Sequence, residues 1–302
     1  MLLVVCPNLG IDRVLQVENF QATKVQRSSS VLTQPGGKGS NVARVFRQLG
    51  GEVVLLGFVG RANAKLIRQP LQHFGIHVDV IPAYGGESRT CTIVCDTESS
   101  SHPTVINEET PKIDQDAGSK LLAKVQQWIP KIDGVLTTGS LSTGLPDDFY
   151  AQILDLGRRR GKLTAIDATG SALRSGLLGR PTFMKPNREE FLQLTTGACV
   201  PRIVALPPHT ALTFGKAGAV LLHQGQCLYA SPPRLFDTNP IGAGDAFCAA
   251  YLKYLLDRRP AAECLQFAVA AAASDAATLR PGFVDVSDVH SLAPKVELRF
   301  LL

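Results

Sequence analysis

Short apolar runs alternate with helical patterns along most of the chain. Leu2 to Cys6 is fully apolar and stops at Pro-Asn, and Val53 to Val59 is a second such run, as expected of strands that a parallel sheet buries on both faces. Between them, apolar residues at 42, 45, 46 and 49 have the spacing of an amphipathic helix over Asn41 to Leu49. The repeated order of strand and helix predicts an α/β fold with a doubly wound, mostly parallel sheet flanked by helices.

The same patterns predict the remaining elements. Further strands are expected at 78–81, 90–95, 104–106, 134–138, 163–167, 210–214 and 219–222, and further helices at 64–74, 114–128, 147–160, 189–194, 245–256 and 261–279. Two extended stretches, approximately 12–34 and 76–107, contain no helical pattern. We expect their strands to pair into a small β-sheet over the mouth of the main sheet, within a single domain spanning 1–302.

Composition narrows the range of partners. With 45% apolar residues, the 302-residue chain can bury a sizeable core. Its net charge of +5 suits an anionic ligand but is too small to indicate nucleic acid. The longest alanine-rich apolar stretch, 267–273, is too short to cross a bilayer, so no membrane partner is expected. The seven cysteines form no CxxC pair, and an odd number at irregular spacing indicates reduced thiols and a cytoplasmic protein.

A short motif near residue 240 carries candidate chemistry. Asn239 to Asp245 reads Asn-Pro-Ile-Gly-Ala-Gly-Asp and leads directly into a predicted helix. Glycines let the backbone approach a ligand closely, and the free N–H groups at a helix start favour an anion. Asp245 could then accept a hydroxyl proton while the N–H groups of Gly242, Ala243 and Gly244 stabilise a phosphoryl group in transfer. The alternative is that Asp245 only caps the helix.

A second glycine-rich motif favours the catalytic alternative. Pro35 to Ala43 reads Pro-Gly-Gly-Lys-Gly-Ser-Asn-Val-Ala, and Gly50 and Gly60 follow it. This string resembles the first signature of the ribokinase-like (PfkB) carbohydrate kinases, and Asn239 to Asp245 resembles their second signature, about 200 residues later as in that family. The resemblance implies a ribokinase-like fold with a small β-sheet lid, phosphoryl transfer from ATP to a sugar hydroxyl, a need for Mg²⁺, and Asp245 as catalytic base.

Further segments extend the resemblance over nearly the whole chain. Thr138 to Leu141 and Asp167 to Leu173 resemble family turns, Lys185 to Glu190 resembles an Asn-x-x-Glu segment linked to Mg²⁺, and 214–219 resembles the loop beside the nucleotide. The resemblance implies substrate contacts from Asp12, Gly37, Lys38, Gly39, Asn41 and Ser140, nucleotide contacts from Lys185, Asn187, Thr213, Gly215, Gly218 and Ser274, and Mg²⁺ held mostly through water by Glu190 and Asn187. Taken singly, these residues could equally be helix caps, turns or strand ends.

Four features of the sequence resemble those of one branch of this family, the 1-phosphofructokinases and tagatose-6-phosphate kinases, which phosphorylate sugar phosphates. Lys38 lies inside the glycine loop, Arg27 and Arg89 match positions that face the substrate phosphate, 104–108 resembles a lid strand, and Asn-Pro-Ile replaces an Asp-Thr-Thr. Two arginines and a lysine that converge on one pocket would suit a dianion. The alternative is three solvated surface charges.

The chain also departs from the family pattern. The segment between Asn187 and the Phe-Gly loop is short and rich in proline, so a helix on the nucleotide side is expected to be shortened. The Asp that anchors a monovalent cation in some members is replaced by Asn239, with Asp237 two residues away, and we leave a cation site unassigned. A homodimer through the lid strands is expected from the resemblance more than from the residues.

The sequence alone leaves three other functions to be considered. The chain could be a kinase of an unphosphorylated sugar or a nucleoside, or a non-catalytic protein that binds a sugar phosphate. The intact Gly-x-Gly-Asp of the second motif argues against the non-catalytic alternative. A dinucleotide-binding dehydrogenase is disfavoured, because no Gly-x-Gly-x-x-Gly follows the first strand.

Overall fold

Two β-sheets organise the residues that the computed structural model describes, which are 1–98, 103–195, 206–233 and 240–301. The strands are Leu2–Asn8 (β1), Gly10–Val17 (β2), Ser30–Gly36 (β3), Val53–Gly60 (β4), His77–Val78 (β5), Ile81–Tyr84 (β6), Thr90–Asp96 (β7), Thr104–Asn107 (β8), Gly134–Thr138 (β9), Leu163–Asp167 (β10), Phe183–Met184 (β11), His209–Thr213 (β12), Ala219–His223 (β13), Gln226–Ser231 (β14) and Glu297–Leu301 (β15). The helices are Lys38–Gln48 (α1), Ala64–His73 (α2), Ala117–Trp128 (α3), Phe149–Arg159 (α4), Gly170–Gly176 (α5), Arg188–Thr195 (α6), Ala243–Leu256 (α7), Ala261–Ala276 (α8) and Val286–Leu292 (α9).

The larger sheet has a parallel part and an antiparallel edge. Its strand order is β15-β14-β13-β12-β11-β10-β9-β1-β4-β5, with β6 also beside β4. All pairs from β5 to β12 are parallel, and buried residues pack on both faces, so the predicted doubly wound sheet is confirmed. The antiparallel strands β14 and β15 were not predicted. The turn before β14 contains Gln224 and Gly225 at positive φ, and Gln-Gly is a weaker hairpin signal than Asn-Gly.

The smaller sheet has the order β3-β2-β7-β8, and it confirms the predicted separate sheet. Its β2–β7 pair is parallel and its other pairs are antiparallel. Only Leu9 separates β1 from β2, so the small sheet begins where β1 ends. The expectation that all of 76–107 belongs to it was wrong, because β5 and β6 pair with β4 in the larger sheet and bury Val78 and Ile81 there.

Helices α1 and α7 begin earlier than the sequence predicted. Gly37 has φ 87° and Gly242 has φ 95°, a left-handed conformation that favours glycine, and each helix starts at the next residue. Lys38 therefore lies at the start of α1 instead of in a loop before it. Asp245 is the third residue of α7 and not its N-cap, which is Gly242.

Gly39 lies where α1 crosses β1, not at an open surface. A Cβ atom at this position would be 2.3 Å from Cβ of Cys6. Gly39 therefore has a packing role, because only glycine lets the helix lie this close to the strand, and its contact with substrate stays a prediction.

We expect Gly39→Ala to lower the free energy of unfolding by about 1–3 kcal/mol, because α1 must move away from β1 to fit the methyl group. Urea unfolding measures this change. Gly85→Ala is the control, since a Cβ there would meet nothing within 4 Å. Equal stability of the two variants would contradict the packing role.

Candidate active site

Polar side chains gather at the carboxyl ends of the parallel strands. Asn8 ends β1, Ser140 follows β9, Asp167 ends β10 and Lys185 follows β11, and these four strands are neighbours in the larger sheet. The amino ends of α1 and α7 reach the same edge, because Lys38 binds Asp167 and Asn41 binds Asp245. This is the edge at which open parallel sheets bind ligands.

A buried carboxylate between two lysines forms the centre of the site. Nζ of Lys38 is 3.0 Å and Nζ of Lys185 is 3.3 Å from the same Oδ1 of Asp167, whose side chain is fully buried. Burial acts to raise the pKa of Asp167, but Lys185 and Lys38 outweigh it, so the pKa is lowered. Burial acts to lower the pKa of Lys38, but Asp167, Asp245 and Glu190 outweigh it, so the pKa is raised. Asp167 and Lys38 therefore stay charged near neutral pH.

Asp245, unlike Asp167, lies in an environment that raises the pKa of its carboxyl group. It is buried in the first turn of α7, and its Oδ2 accepts a hydrogen bond of 2.8 Å from Nδ2 of Asn41. Burial raises its pKa to about 6; the charge of Lys38 opposes that shift and the charge of Asp167 adds to it. Asp245 is thus ionised at neutral pH but binds a proton more readily than an ordinary aspartate, as a general base requires.

The amino end of α7 faces the lysines. A Cβ at Gly244 would lie 3.5 Å from Nζ of Lys185, so this ammonium sits over the first turn of the helix. First-turn N–H groups lack partners inside their helix, and the helix dipole adds positive potential there. Gly242 is enclosed on its other side, since a Cβ there would be 2.6 Å from the backbone nitrogen of Gly282.

Asn8 joins a second polar group beside this centre. Its Nδ2 donates to Oγ of Ser140 at 2.8 Å and to Oγ1 of Thr110 at 2.7 Å, and its Oδ1 accepts from Nε of Arg89 at 3.0 Å. Arg89 also donates from Nη1 to Oδ1 of Asn107 at 3.0 Å. Ser140 and Arg89, both predicted site residues, are thus brought together by an asparagine whose only sequence signal was its position at a strand end.

The convergence of Lys38, Arg27 and Arg89 on one pocket stays a prediction. Lys38 contacts Asp167 and Arg89 contacts Asn8, so the two lie on adjoining parts of the site. Arg27 is exposed in the connection between β2 and β3. That connection follows Val17, five residues beyond Asp12 along β2 and so about 17 Å from it at the rise of a strand.

Asp12 lies against Gly36 of the first glycine-rich motif, and its contact with substrate stays a prediction. It is buried, and a Cβ at Gly36 would be 2.1 Å from its Oδ1. Gly37 is less tightly confined, since a Cβ there would lie 3.1 Å from the carbonyl oxygen of Asn8. Burial raises the pKa of Asp12, against the charges of Arg44 and Arg89.

The Asn-x-x-Glu segment forms a reciprocal cap at the start of α6. The backbone N–H of Asn187 donates to Oε2 of Glu190, and the backbone N–H of Glu190 donates to Oδ1 of Asn187, both at 2.8 Å. Asn187 also bridges to Thr213 at the end of β12, and Gly215 and Gly218 follow at positive φ. The segment therefore caps the start of α6. The charge of the buried Glu190 carboxylate also helps to raise the pKa of Lys38.

Lys185 and Ser274, two predicted nucleotide residues, have different surroundings, and the contact of Lys185 with the nucleotide stays a prediction. Lys185 binds Asp167 and so belongs to the central cluster. The Ser274 side chain is 2% exposed, and its hydroxyl accepts from the backbone N–H of Asp285 at 3.1 Å and is 3.5 Å from the Asp285 carbonyl oxygen. Ser274 therefore holds the segment after α8 and is not presented to a ligand. Asn239, Asp237 and the short segment at 196–205 lie outside the described residues.

The site fits a magnesium ion carried by a nucleotide. Within the described ranges, no group of three or more His, Cys, Asp or Glu side chains could hold a metal ion. Mg²⁺ commonly binds to one or two carboxylates together with substrate phosphates. Among the described residues, Oδ2 of Asp167 is buried without a hydrogen-bond partner, and the Glu190 carboxylate is close enough to act on Lys38. Carboxylate oxygens are therefore available for such binding.

Among the described helices, none has the length and apolar character needed to cross a membrane.

Comparisons with known proteins agree with this geometry. Residues 2–279 match the model of the pfkB family carbohydrate kinases. A structure of a possible 1-phosphofructokinase from Thermotoga maritima is 21% identical with a TM-score of 0.89, over 100% of this chain and 99% of that one. Phosphofructokinase-2 from Escherichia coli in complex with fructose-6-phosphate is 20% identical with a TM-score of 0.82, over 97% and 98%. A carbohydrate kinase from Agrobacterium tumefaciens is 19% identical with a TM-score of 0.76, over 99% of both chains. These likenesses show a shared fold.

We expect Asp245→Asn to stabilise the fold at pH 8 but not at pH 4. The folded-state pKa of about 6 exceeds the ordinary 3.8, so the ionised carboxylate costs folding free energy above pH 6, on the order of 3 kcal/mol. This cost disappears as the pH falls to 4, where the group is protonated when folded. Thermal unfolding at the two pH values measures the change. Asp147→Asn, at an exposed loop carboxylate, is the control, and a gain for Asp245→Asn that is equal at both pH values would contradict the raised pKa.

Proposed function

Because the chain belongs to the pfkB family of carbohydrate kinases, we propose that it transfers the γ-phosphoryl group of ATP to a hydroxyl of a hexose phosphate, with Asp245 as the base. The observation that carries this proposal is the position of Asp245, buried at the amino end of α7 beside Lys38. Phosphoryl transfer needs little beyond positioning and charge stabilisation, and this group of residues can supply both.

In the proposed step, the acceptor hydroxyl oxygen bonds to the γ-phosphorus while the bond to the β–γ bridging oxygen breaks. The electron pair of that bond leaves with ADP, and the hydroxyl proton moves to Asp245. Oδ2 of Asp245 is held by Asn41, which leaves Oδ1 to receive the proton. Lys38, Lys185 and the N–H groups of Gly242–Gly244 face the transferring charge. Mg²⁺ bound by Asp167 and Glu190, mostly through water, would neutralise part of the phosphate charge.

The group around Asn8 supports a phosphorylated acceptor. Among the described residues, Arg89 donates hydrogen bonds to the neutral amides of Asn8 and Asn107, and its charge also acts on the buried carboxyl group of Asp12. A half-buried guanidinium held by such contacts, with the hydroxyls of Ser140 and Thr110 close by, suits a phosphate dianion. We assign ATP to the opposite side, near Asn187, Thr213, Gly215 and Gly218.

An acceptor screen tests this function. Purified protein with Mg-ATP is given fructose 1-phosphate, fructose 6-phosphate, tagatose 6-phosphate, fructose or adenosine, and release of ADP is measured. We expect turnover with at least one phosphorylated hexose and little with fructose or adenosine. Turnover only with unphosphorylated acceptors would reject the phosphate-acceptor proposal, and binding of a hexose phosphate without release of ADP would favour a non-catalytic role.

We expect Arg89→Ala to raise the KM for the hexose phosphate about 10- to 100-fold and to leave the KM for ATP within about twofold. The reason is that only the acceptor phosphate would lose a charged hydrogen-bond partner. Steady-state kinetics with each substrate varied in turn provide the measurement. Arg61→Ala is the matched control, since Arg61 is exposed and pairs with Asp114. A similar rise in both KM values would contradict the phosphate-binding role.

We also propose that the chain forms a homo-oligomer through the small sheet. All residues of the edge strand β8 are exposed, among them Val105 and Ile106, and an exposed apolar edge can pair with another chain. An inhibited form of phosphofructokinase-2 from Escherichia coli is a tetramer. Sedimentation equilibrium should give at least a dimer, and Ile106→Lys should shift it towards monomer; a monomeric unmodified protein would contradict this proposal.

A further inference from the structure

Arg44 is a buried arginine that the sequence analysis did not single out. Its side chain lies on α1 and donates to four oxygen atoms: from Nη1 to Pro35 O at 2.7 Å, from Nε to Gly282 O at 3.3 Å, and from Nη2 to Pro281 O at 2.9 Å and to Oδ1 of Asn41 at 2.5 Å. All four acceptors are neutral amide oxygens. Burial lowers the pKa of Arg44 to about 10, so it remains charged near neutral pH.

The contact with Arg44 determines how the Asn41 amide is oriented. A guanidinium can only donate hydrogen bonds, so the amide oxygen must face Arg44. The amide nitrogen then faces Oδ2 of Asp245 and donates to it at 2.8 Å. The reversed amide would place N–H groups against the guanidinium and an oxygen against the carboxylate, which are two repulsive contacts in a buried site.

Arg44 also ties together the two segments on which the site depends. Pro35 belongs to the end of β3, just before the glycine loop, and Pro281–Gly282 follows α8 and lies against Gly242. One side chain therefore connects the starts of α1 and α7. A simple structural clamp would need only the three backbone carbonyls, and the fourth contact reaches the partner of Asp245.

We propose that Arg44 is a positioning residue that holds Asn41 with its amide nitrogen towards Asp245 and so keeps the Asp245 carboxylate ionised and fixed in place. The proposal rests on the proposed function only for the use of Asp245 as a base; the orientation of Asn41 does not depend on any activity. Among the described residues, the titratable groups that interact with Asp245 are Arg44 itself, Lys38, Asp167, Lys185, Asp275, Cys6 and Cys248.

The test is a titration of the Asp245 carboxyl carbon by ¹³C NMR in the protein without substrates. The resonance of the Asp245 carboxyl carbon is identified by its absence from the spectrum of the Asp245→Asn variant. With Arg44 intact the midpoint should be near 6, and in Arg44→Met it should rise by about one pH unit, because the carboxylate loses a reliable donor. Gln34→Met is the matched control. Gln34 is buried and donates to the same Pro281 carbonyl at 3.0 Å, so its loss should leave the midpoint unchanged.

A double-mutant cycle separates the proposed route from a direct effect of the Arg44 charge. Asn41→Leu alone should raise the midpoint, and adding Arg44→Met should then raise it by clearly less than Arg44→Met does in the unmodified protein, since only the direct effect of the charge is left. An equal rise in the two backgrounds, or an unchanged midpoint in Arg44→Met, would overturn the proposal. If Arg44→Met does not fold, Arg44→Leu serves in its place, since leucine is uncharged and has no hydrogen-bond donor for Asn41, and the same outcomes apply.

This design keeps the two proposals distinct. If the protein shows no kinase turnover, the titration still decides whether Arg44 acts through Asn41. If turnover is found and the midpoint is insensitive to Arg44, the proposed function stands and the positioning role of Arg44 fails.

Discussion

The structure depends on one constraint, which is that a fully buried carboxylate must be kept charged at the edge of a parallel sheet. Asp167 stays charged because one of its carboxylate oxygens pairs with both Lys38 and Lys185. An unpaired buried charge would cost the fold several kcal/mol. The pairing therefore requires α1 to start at the sheet edge and Lys185 to leave β11 directly beside β10. The left-handed Gly37, which starts α1 immediately before Lys38, follows from the same requirement.

The same cluster gives two aspartates opposite properties. Asp167, beside both lysines, has a lowered pKa, whereas Asp245, buried near the Asp167 charge, has a pKa raised to about 6. Neighbouring carboxyl groups whose pKa values are pushed apart commonly divide their roles in catalysis. In this site the division suits Asp167 to fixed charge and metal binding and Asp245 to proton transfer. Asn41 and Arg44 then limit how far Asp245 can move or change its protonation.

Local patterns predicted most of the parallel sheet, because strands such as Gly134–Thr138 and Leu163–Asp167 are short apolar runs that end at polar residues. The two glycine-rich motifs predicted Asp245 and Lys38 as site residues, whereas Asp167 was noted only within a segment that resembles a family turn. Local patterns could not predict Arg44, whose backbone partners Pro281 and Gly282 are about 240 residues away in sequence. For the same reason the early starts of α1 and α7 were missed, since contacts with distant segments confine Gly37 and Gly242.

The central claim is that a buried Asp245 with a raised pKa removes the acceptor proton. The most direct measurement is the pH dependence of kcat/KM for the hexose phosphate at saturating Mg-ATP. We expect a plateau above pH 7 and a tenfold fall for each pH unit below a midpoint near 6, since only the ionised carboxylate accepts a proton. A profile that stays flat down to pH 5 would contradict it.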